Sequence, residues 1–491
     1  MATRREKTIT LKQLIFGKTS AEREVLEDPR LLREGFLDPF DVTGAAWNTG
    51  KFLFLGYKGS GKSAIGEHLR LIAESHGDQF VRLLHLADFP FTPFSKLIEG
   101  DIGPESKYPT AWSWLLLLQV FDSMCRDQGS NVNSEDTLFF AREALRTAGL
   151  LPSPDFKHSI SVSTKSSLSL ALPGFNASYE STHQGQAAEI PFFVERLKLI
   201  LQHWTSQSRH LIIIDGLDDV LTQRGPQYDS LAALIYETDR LNISFQKDSL
   251  PIKIIVLCRT DLFEKLPNAN KNKMRQDAAI TLDWYHDPRA PTNSKLIELI
   301  NHRAMVGRGT ATDVFAEFFP PHVNLYGHPN GPDVRLFLLD LTRHTPRDII
   351  ALMNYMQNSY TRGRLSLEQL LAGARSYSVD YFVPEIKDEL TGYMRPEDID
   401  KVMIVLGALR KREFLFTELA DQAKRLYASS DPLDLELAAR LLFDCSAIGN
   451  IGRWPGGTTF YTFKYRNRNS VFNPDERMIL HRGMWKALNL T

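Results

Sequence analysis

Four apolar residues, Phe52, Leu53, Phe54 and Leu55, run directly into the pattern G-x-x-x-x-G-K-S, after which an amphipathic stretch begins. Here the pattern is filled by Gly56, Tyr57, Lys58, Gly59, Ser60, Gly61, Lys62 and Ser63, with Ala64 following. Glycines at 56 and 61 allow torsions and close approaches denied to larger residues, so successive backbone N–H groups can converge on phosphate oxygens at a helix N-terminus. In such a loop Lys62 neutralises the β and γ phosphates, and the Ser63 hydroxyl ligates Mg²⁺. A buried strand before the motif and an apolar helix face after it (Ile65, Leu69, Ile72) are the context this chemistry requires. The expected cofactors are therefore ATP and Mg²⁺.

At 491 residues the chain is too long for one core and divides into two or three domains. A formal net charge of −1 excludes a general bias toward nucleic acid, so any such contact needs a local patch. Cys125, Cys258 and Cys445 are far apart and lack metal-ligand spacing, which reads as reduced thiols. The N-terminus lacks the apolar core of a signal peptide, and the run at Trp114–Leu118 is too short to span a bilayer; a cytoplasmic protein without membrane contact is expected.

Strand-like and helix-like patterns alternate from Lys51 to about Arg259, an α/β signature implying a parallel sheet flanked by helices. Residues 1–46 read as an arm on the ATPase domain at 47–290. Within that domain the Ser-rich stretch 152–190, with alternation at Ser167–Leu172, reads as a surface insertion or a partner-binding arm. Periodicity is helical from Ser294, giving a helical lid at 291–395 and a final domain at 396–491.

The run Leu211–Ile214 ending in Asp215 has the form of a buried parallel strand that delivers a carboxylate to its C-terminal edge. Asp215 is the expected Mg²⁺-linked acid opposite Ser63. Gly216 stands where many ATPases carry a glutamate base, so Asp218 and Asp219 are candidates for orienting water, with helix capping as the alternative. Arg259 ends the next strand on the same edge and can sense a γ-phosphate, its rival use being an ion pair with Asp261 or Asp219. Arg347 follows Pro346 in the first turn of a helix and can reach a nucleotide from a lid, or simply face solvent.

These features resemble the STAND and AAA+ branch of P-loop ATPases, which act as nucleotide switches. The residues concerned are the loop from Gly56 to Ser63, the strand ending Asp215-Gly216-Leu217-Asp218-Asp219, the strand ending at Arg259, and Thr345-Pro346-Arg347. More closely, Phe16–Glu22, Leu55–Ser63, Cys258–Asn268 and Ile479–Leu490 resemble a prokaryotic P-loop ATPase family first noted in cyanobacteria, over nearly the whole chain. That resemblance implies an ATPase core, a helical lid, a C-terminal winged helix and a role in phage defence.

The residues themselves also point to a winged helix. Helical spacing at Phe416–Tyr427 and Leu433–Cys445 precedes a strand at Ala447–Arg453, a turn at Pro455–Gly457 and a returning strand at Thr458–Tyr465. From Ile451 to Lys486 the basic residues are 453, 464, 466, 468, 477, 482 and 486, against the acids Asp475 and Glu476. Arg453, Lys464, Arg466 and Arg468, with Tyr461 and Tyr465, form a candidate grip on duplex DNA; packing against the protein's own domains is the alternative. Two readings follow. One is a slowly hydrolysing ATP switch that controls self-association or recruits an effector protein. The other is a DNA-associated ATPase of the origin-loader or transposition-helper kind. A small-molecule kinase is disfavoured by chain length and the extra C-terminal domain.

Overall fold

A computed structural model describes residues 9–87, 89–98, 104–132, 135–164, 190–217, 225–267, 270–285, 291–310, 312–324, 331–427 and 433–490. The chain forms two compact units, Asp38–Leu282 and a second made of Met1–Leu37 with Asp283–Thr491.

The first unit is built on a five-stranded parallel sheet. Its strands are β1 (Leu53–Gly56), β2 (Gln79–His85), β3 (Arg209–Asp215), β4 (Ile252–Arg259) and β5 (Ala279–Thr281), in the order β2-β3-β4-β1-β5. Central strands with both faces covered must be apolar throughout, and Leu211, Ile212, Ile213 and Ile214 are all fully buried. Truncating such a residue to alanine should cost about 2–5 kcal/mol. The helices packed around the sheet include α1 (Lys62–Ala73), α2 (Pro104–Arg126), α3 (Ile190–Gln202) and α4 (Gly225–Lys247). The apolar load of α2 is its core: Trp112, Trp114 and Leu115–Leu118 are fully buried. Their indole N–H groups are satisfied, Trp112 donating to the Ser230 carbonyl at 2.9 Å and Trp114 to Ser163 Oγ at 2.9 Å.

The strand expected at Ser167–Leu172 lies outside the described residues. The opening of the expected surface insertion is not a surface loop: Phe156–Ser163 is a helix capped by Asp155, and Phe156 and Ile160 are buried in the core.

In the second unit the helices include α5 (Lys295–Arg308), α6 (Pro346–Ser359) and α7 (Leu367–Tyr377). Residues 9–37 of the N-terminal arm, expected on the ATPase domain, fold here instead, while 38–46 lie in the first unit. Glu24 Oε2 accepts from Arg303 Nη1 at 2.8 Å and from the Lys18 N–H at 2.7 Å, deep below the surface. Gln357 Nε2 donates to the carbonyls of Leu11 (2.7 Å) and Leu14 (2.8 Å), and Asn354 Nδ2 to that of Gly17 (3.0 Å). A buried charge pair and three carbonyl contacts commit the arm to α5 and α6, because separating them would strand polar groups.

The C-terminal part of this unit has winged-helix topology. Helices α8 (Pro396–Leu409), α9 (Phe416–Leu426) and α10 (Leu435–Asp444) adjoin an antiparallel sheet. Its strands β6 (Glu413–Phe414), β7 (Ile448–Arg453), β8 (Thr459–Thr462) and β9 (Arg477–Leu480) take the order β8-β7-β9-β6. The expected wing hairpin is β7–β8; the returning strand stops at Thr462, short of Tyr465, and the sequence reading missed β6 and β9.

Candidate functional site

In a parallel sheet all strands end on one edge, and three ends matter here. β1 stops at Gly56, β3 at Asp215 and β4 at Arg259. Gly56 and Arg259 are register partners on adjacent strands. Asp215 lies one strand further, so β1 and β3 are about 10 Å apart at ordinary strand spacing.

The loop from β1 to α1 needs its glycines for separate reasons. Gly59 (φ 82°) and Gly61 (φ 95°) take left-handed torsions, which turn consecutive peptide units into a cradle before α1. Gly56 is required by space: a Cβ there would sit 2.2 Å from Ser60 Oγ and 3.2 Å from Leu282 Cβ. Ser60 N–H closes the loop onto the Tyr57 carbonyl at 3.1 Å, and Ile65 N–H starts the helix on Gly61 at 3.0 Å. Lys62 is only 8% exposed and arches back, its ammonium donating to the carbonyls of Gly56 and Tyr57 at 3.2 Å each. Tyr57, Lys58, Gly59, Ser63 and Ala64 remain partly accessible along the cradle. Gly66, which the sequence reading passed over, lets α1 approach β2: a Cβ would lie 2.9 Å from Leu83 Cδ1.

Asp215 is 4% exposed, and its Oδ1 accepts the Gly216 N–H at 2.8 Å, made possible by the left-handed Gly216. Asp218 and Asp219 lie outside the described residues. Arg259 makes the ion pair that was its rival use: Nε donates to Asp261 Oδ1 at 3.0 Å and Nη2 to Oδ2 at 2.8 Å. Burial pushes the Asp261 carboxyl up, but Arg259, with further pull from Lys265 and Lys62, holds it below the usual carboxylate range. Asp261 thus shares the electrostatic surroundings of the loop lysine. The sequence reading had it only as a partner for Arg259.

Arg347 belongs to the other unit. Thr345 caps α6 through the Asp348 N–H and Pro346 opens it, as the sequence predicts. The Arg347 guanidinium is spent locally, Nε donating to the Thr19 carbonyl at 3.1 Å and Nη1 to Glu385 at 3.3 Å.

The donor set fits Mg-ATP. A hydroxyl at Ser63, one buried carboxylate at Asp215 and a cradle of glycine torsions are the kind of donors that would hold a magnesium ion with its nucleotide. Among the described residues no cluster of three or more His, Cys, Asp or Glu side chains could hold a metal independently. No described helix is long and apolar enough to cross a membrane.

The basic residues of the wing divide. Lys464 Nζ donates to the Ser470 carbonyl at 2.9 Å. Arg466 bonds the Tyr465 hydroxyl at 3.0 Å and lies 4.0 Å from Asp340, so both are engaged within the unit. Arg453 and Arg468 are exposed. On the outer face of the sheet Arg477, Ile451 and Tyr461 form one cross-strand row, with Arg453 and Thr459 in the next. Trp454 is 59% exposed at the hairpin tip and packs on Phe460. The sequence reading counted Arg477 but did not see this row, because β9 carries too short an apolar pattern.

A phosphate loop after β1, a buried aspartate ending β3 and β4 between those strands together define a P-loop NTPase fold with parallel sheet and flanking helices. No protein-family model and no curated protein matches the chain. Among solved structures it is similar to the Aeropyrum pernix Orc1 protein in complex with DNA, at 13% identity, covering 89% of this chain and 86% of that one, with a TM-score of 0.36. It is also similar to Cdc6p from Pyrobaculum aerophilum (11% identity, 91% and 92% covered, TM-score 0.30) and to Drosophila ORC bound to DNA (13%, 93% and 94%, 0.27). Likeness at this level carries no argument, and the reading rests on this chain's own strand order and loop.

Proposed function

We propose that the chain is a Mg-ATP-binding switch of AAA+ or STAND type that hydrolyses ATP slowly and uses its loaded state to control self-association or partner recruitment. The observation that carries this is the conjunction at one sheet edge of the glycine cradle, the buried Lys62, and the strand ends Asp215 and Arg259. Lys62 would hold the β and γ phosphates, Ser63 and Asp215 the Mg²⁺, and the loop N–H groups the remaining phosphate oxygens. Bound Mg²⁺ would supply neutralisation of the charge that develops on the transferred phosphoryl group. The glutamate position after Asp215 is Gly216, which supports slow turnover and a timing role. The reading needs nothing from Arg347, which is committed to Thr19 and Glu385. An anti-phage setting is the context the sequence resemblance implies.

The test is calorimetric titration with Mg-ATP, followed by size measurement with and without a non-hydrolysable analogue. Micromolar binding that falls at least about a hundredfold in Lys62→Ala, with an unchanged melting profile, is expected. Equal binding by the variant would remove the site assignment.

A second reading is DNA contact through the wing, favoured by the exposed row Arg477, Tyr461 and Arg453 beside Trp454. It is opposed by α10, which occupies the position of a groove-reading helix. The exposed face of α10 presents Glu436, Asp444 and an Arg440 that lies 3.3 Å from Glu436. On this reading only the wing approaches the phosphate backbone, and sequence is not read.

A further inference from the structure

We propose that Asp261 is a positioning residue of the nucleotide site, fixing the Arg259 guanidinium beside the phosphate loop. The inference rests on the reading of that edge as a Mg-ATP site.

Register makes Arg259 the neighbour of Gly56, the residue where the loop begins. A flexible arginine there would sample many rotamers, and ordering a long side chain costs conformational entropy. Asp261 removes that freedom in advance. Both carboxylate oxygens accept from the guanidinium, at 3.0 and 2.8 Å, which fixes its plane as well as its position. The geometry is local and cheap: Arg259 ends β4 in extended backbone, and Asp261 sits in the first turn of the helix Thr260–Lys265 that follows at once. An acid in that turn is also favoured by the helix dipole.

Where the phosphates sit relative to the oriented guanidinium then decides how strongly they are held. Discrimination between a triphosphate and a diphosphate is the property this arrangement tunes.

The experiment compares wild type, Lys62→Ala, Asp261→Asn, Arg259→Ala and the double variant Arg259→Ala/Asp261→Asn, all as full chains with melting checked. ATP and ADP affinities are measured by calorimetry, and turnover is resolved into kcat and KM. Asp261→Asn should leave ADP affinity equal or higher, lower the ATP-over-ADP preference about tenfold, and reduce kcat more than it changes KM. In the Arg259→Ala background the same substitution should do nothing further to the preference, since a residue acting through Arg259 has nothing left to orient. Additive effects, or an unchanged preference in Asp261→Asn, would overturn the proposal. Should Lys62→Ala bind ATP like wild type, the site assignment itself fails, which is a separate result.

Discussion

The two ends of β3 carry polar side chains in a strand that is otherwise all apolar, and they are put to opposite uses. At its start, His210 Nδ1 lies 3.0 Å from Ser123 Oγ and its Nε2 3.4 Å from Asp127 Oδ2, while Asp127 also accepts from Ser206 and from the Gly129 N–H. Serine, histidine and aspartate in that order would suggest a hydrolase on paper. Yet the His210 side chain is 0% exposed and that of Asp127 3%, and burial pushes the imidazole down although Asp127 pulls the other way. That cluster is a closed plug, sealed from solvent. At the other end, Asp215 shares an edge with Lys62, Arg259 and Asp261, where cations and turned peptide units face a loop whose residues stay partly accessible. Residue types do not distinguish a site from a plug; the partly accessible loop and the charged side chains gathered beside it do.

The contrast can be broken most directly by cutting each end. Asp215→Ala should lower Mg²⁺-dependent ATP turnover roughly a hundredfold while nucleotide still binds, because loss of a residue that orients a metal typically costs 10–100-fold. His210→Ala should do the reverse. It removes a ring stacked on Phe80 at 4.9 Å and leaves Ser123 and Asp127 without their imidazole, which should cost about 2–4 kcal/mol in denaturant unfolding. Turnover per folded molecule should be unchanged. If His210→Ala abolishes turnover in protein that is still folded, the two ends are coupled and the contrast is wrong.

Much of this edge was legible because its signals are dense and local. The loop pattern, the continuous apolar run before Asp215 and the strand ending at Arg259 each lie within a few residues. What escaped was set by tertiary pairing. Gly66 looks like an ordinary helix glycine until Leu83 is seen against it. The arm's place depends on Glu24 meeting Arg303, some 280 residues away in the chain, which no local periodicity encodes. Lys464 and Arg466 looked like free wing cations, yet one closes a turn and the other lies on Tyr465 and near Asp340. Conversely, Phe156 and Ile160 sat in a serine-rich stretch whose average polarity hid a short buried helix.

Acid should find the plug and its counterpart in the other unit before it finds the nucleotide edge. His481 is fully enclosed among Phe382, Phe463 and Tyr465. Burial, then the nearby Arg343, lowers its imidazole from the ordinary 6.5 to about 3. His210 is shifted in the same direction. For each, the unfolded chain binds the extra proton between the two values, so stability is complete above about pH 6.5 and declines as pH falls below it. The slope is at most about 1.4 kcal/mol per pH unit for each group. Asp261, held below its usual range, adds stability that is lost only at still lower pH, as its carboxyl protonates. Unfolding followed by denaturant at pH 7.5, 6 and 5 should therefore steepen below 6.5, and His481→Phe should flatten part of that decline. An unchanged slope in the variant would mean that His481 is charged in the fold.

The smallest expected effect lies on the wing, where the same distinction between spent and available charge applies. Arg453 and Arg477 stand on the exposed face, while Arg466 is tied into its own unit. If the wing touches duplex DNA, Arg453→Gln with Arg477→Gln should weaken binding several-fold and reduce the dependence of log affinity on log salt by about one per lost phosphate contact. Arg466→Gln should instead lower thermal stability slightly, by loosening the contacts to Tyr465 and Asp340, and leave the salt slope alone. Random-sequence and defined duplexes should bind alike, since the exposed face of α10 sets Glu436 and Asp444 against a single cation, Arg440, which pairs with Glu436. A salt slope that falls in Arg466→Gln but not in the double variant would reverse the assignment of which wing charges are available, and with it the principle drawn from the two ends of β3.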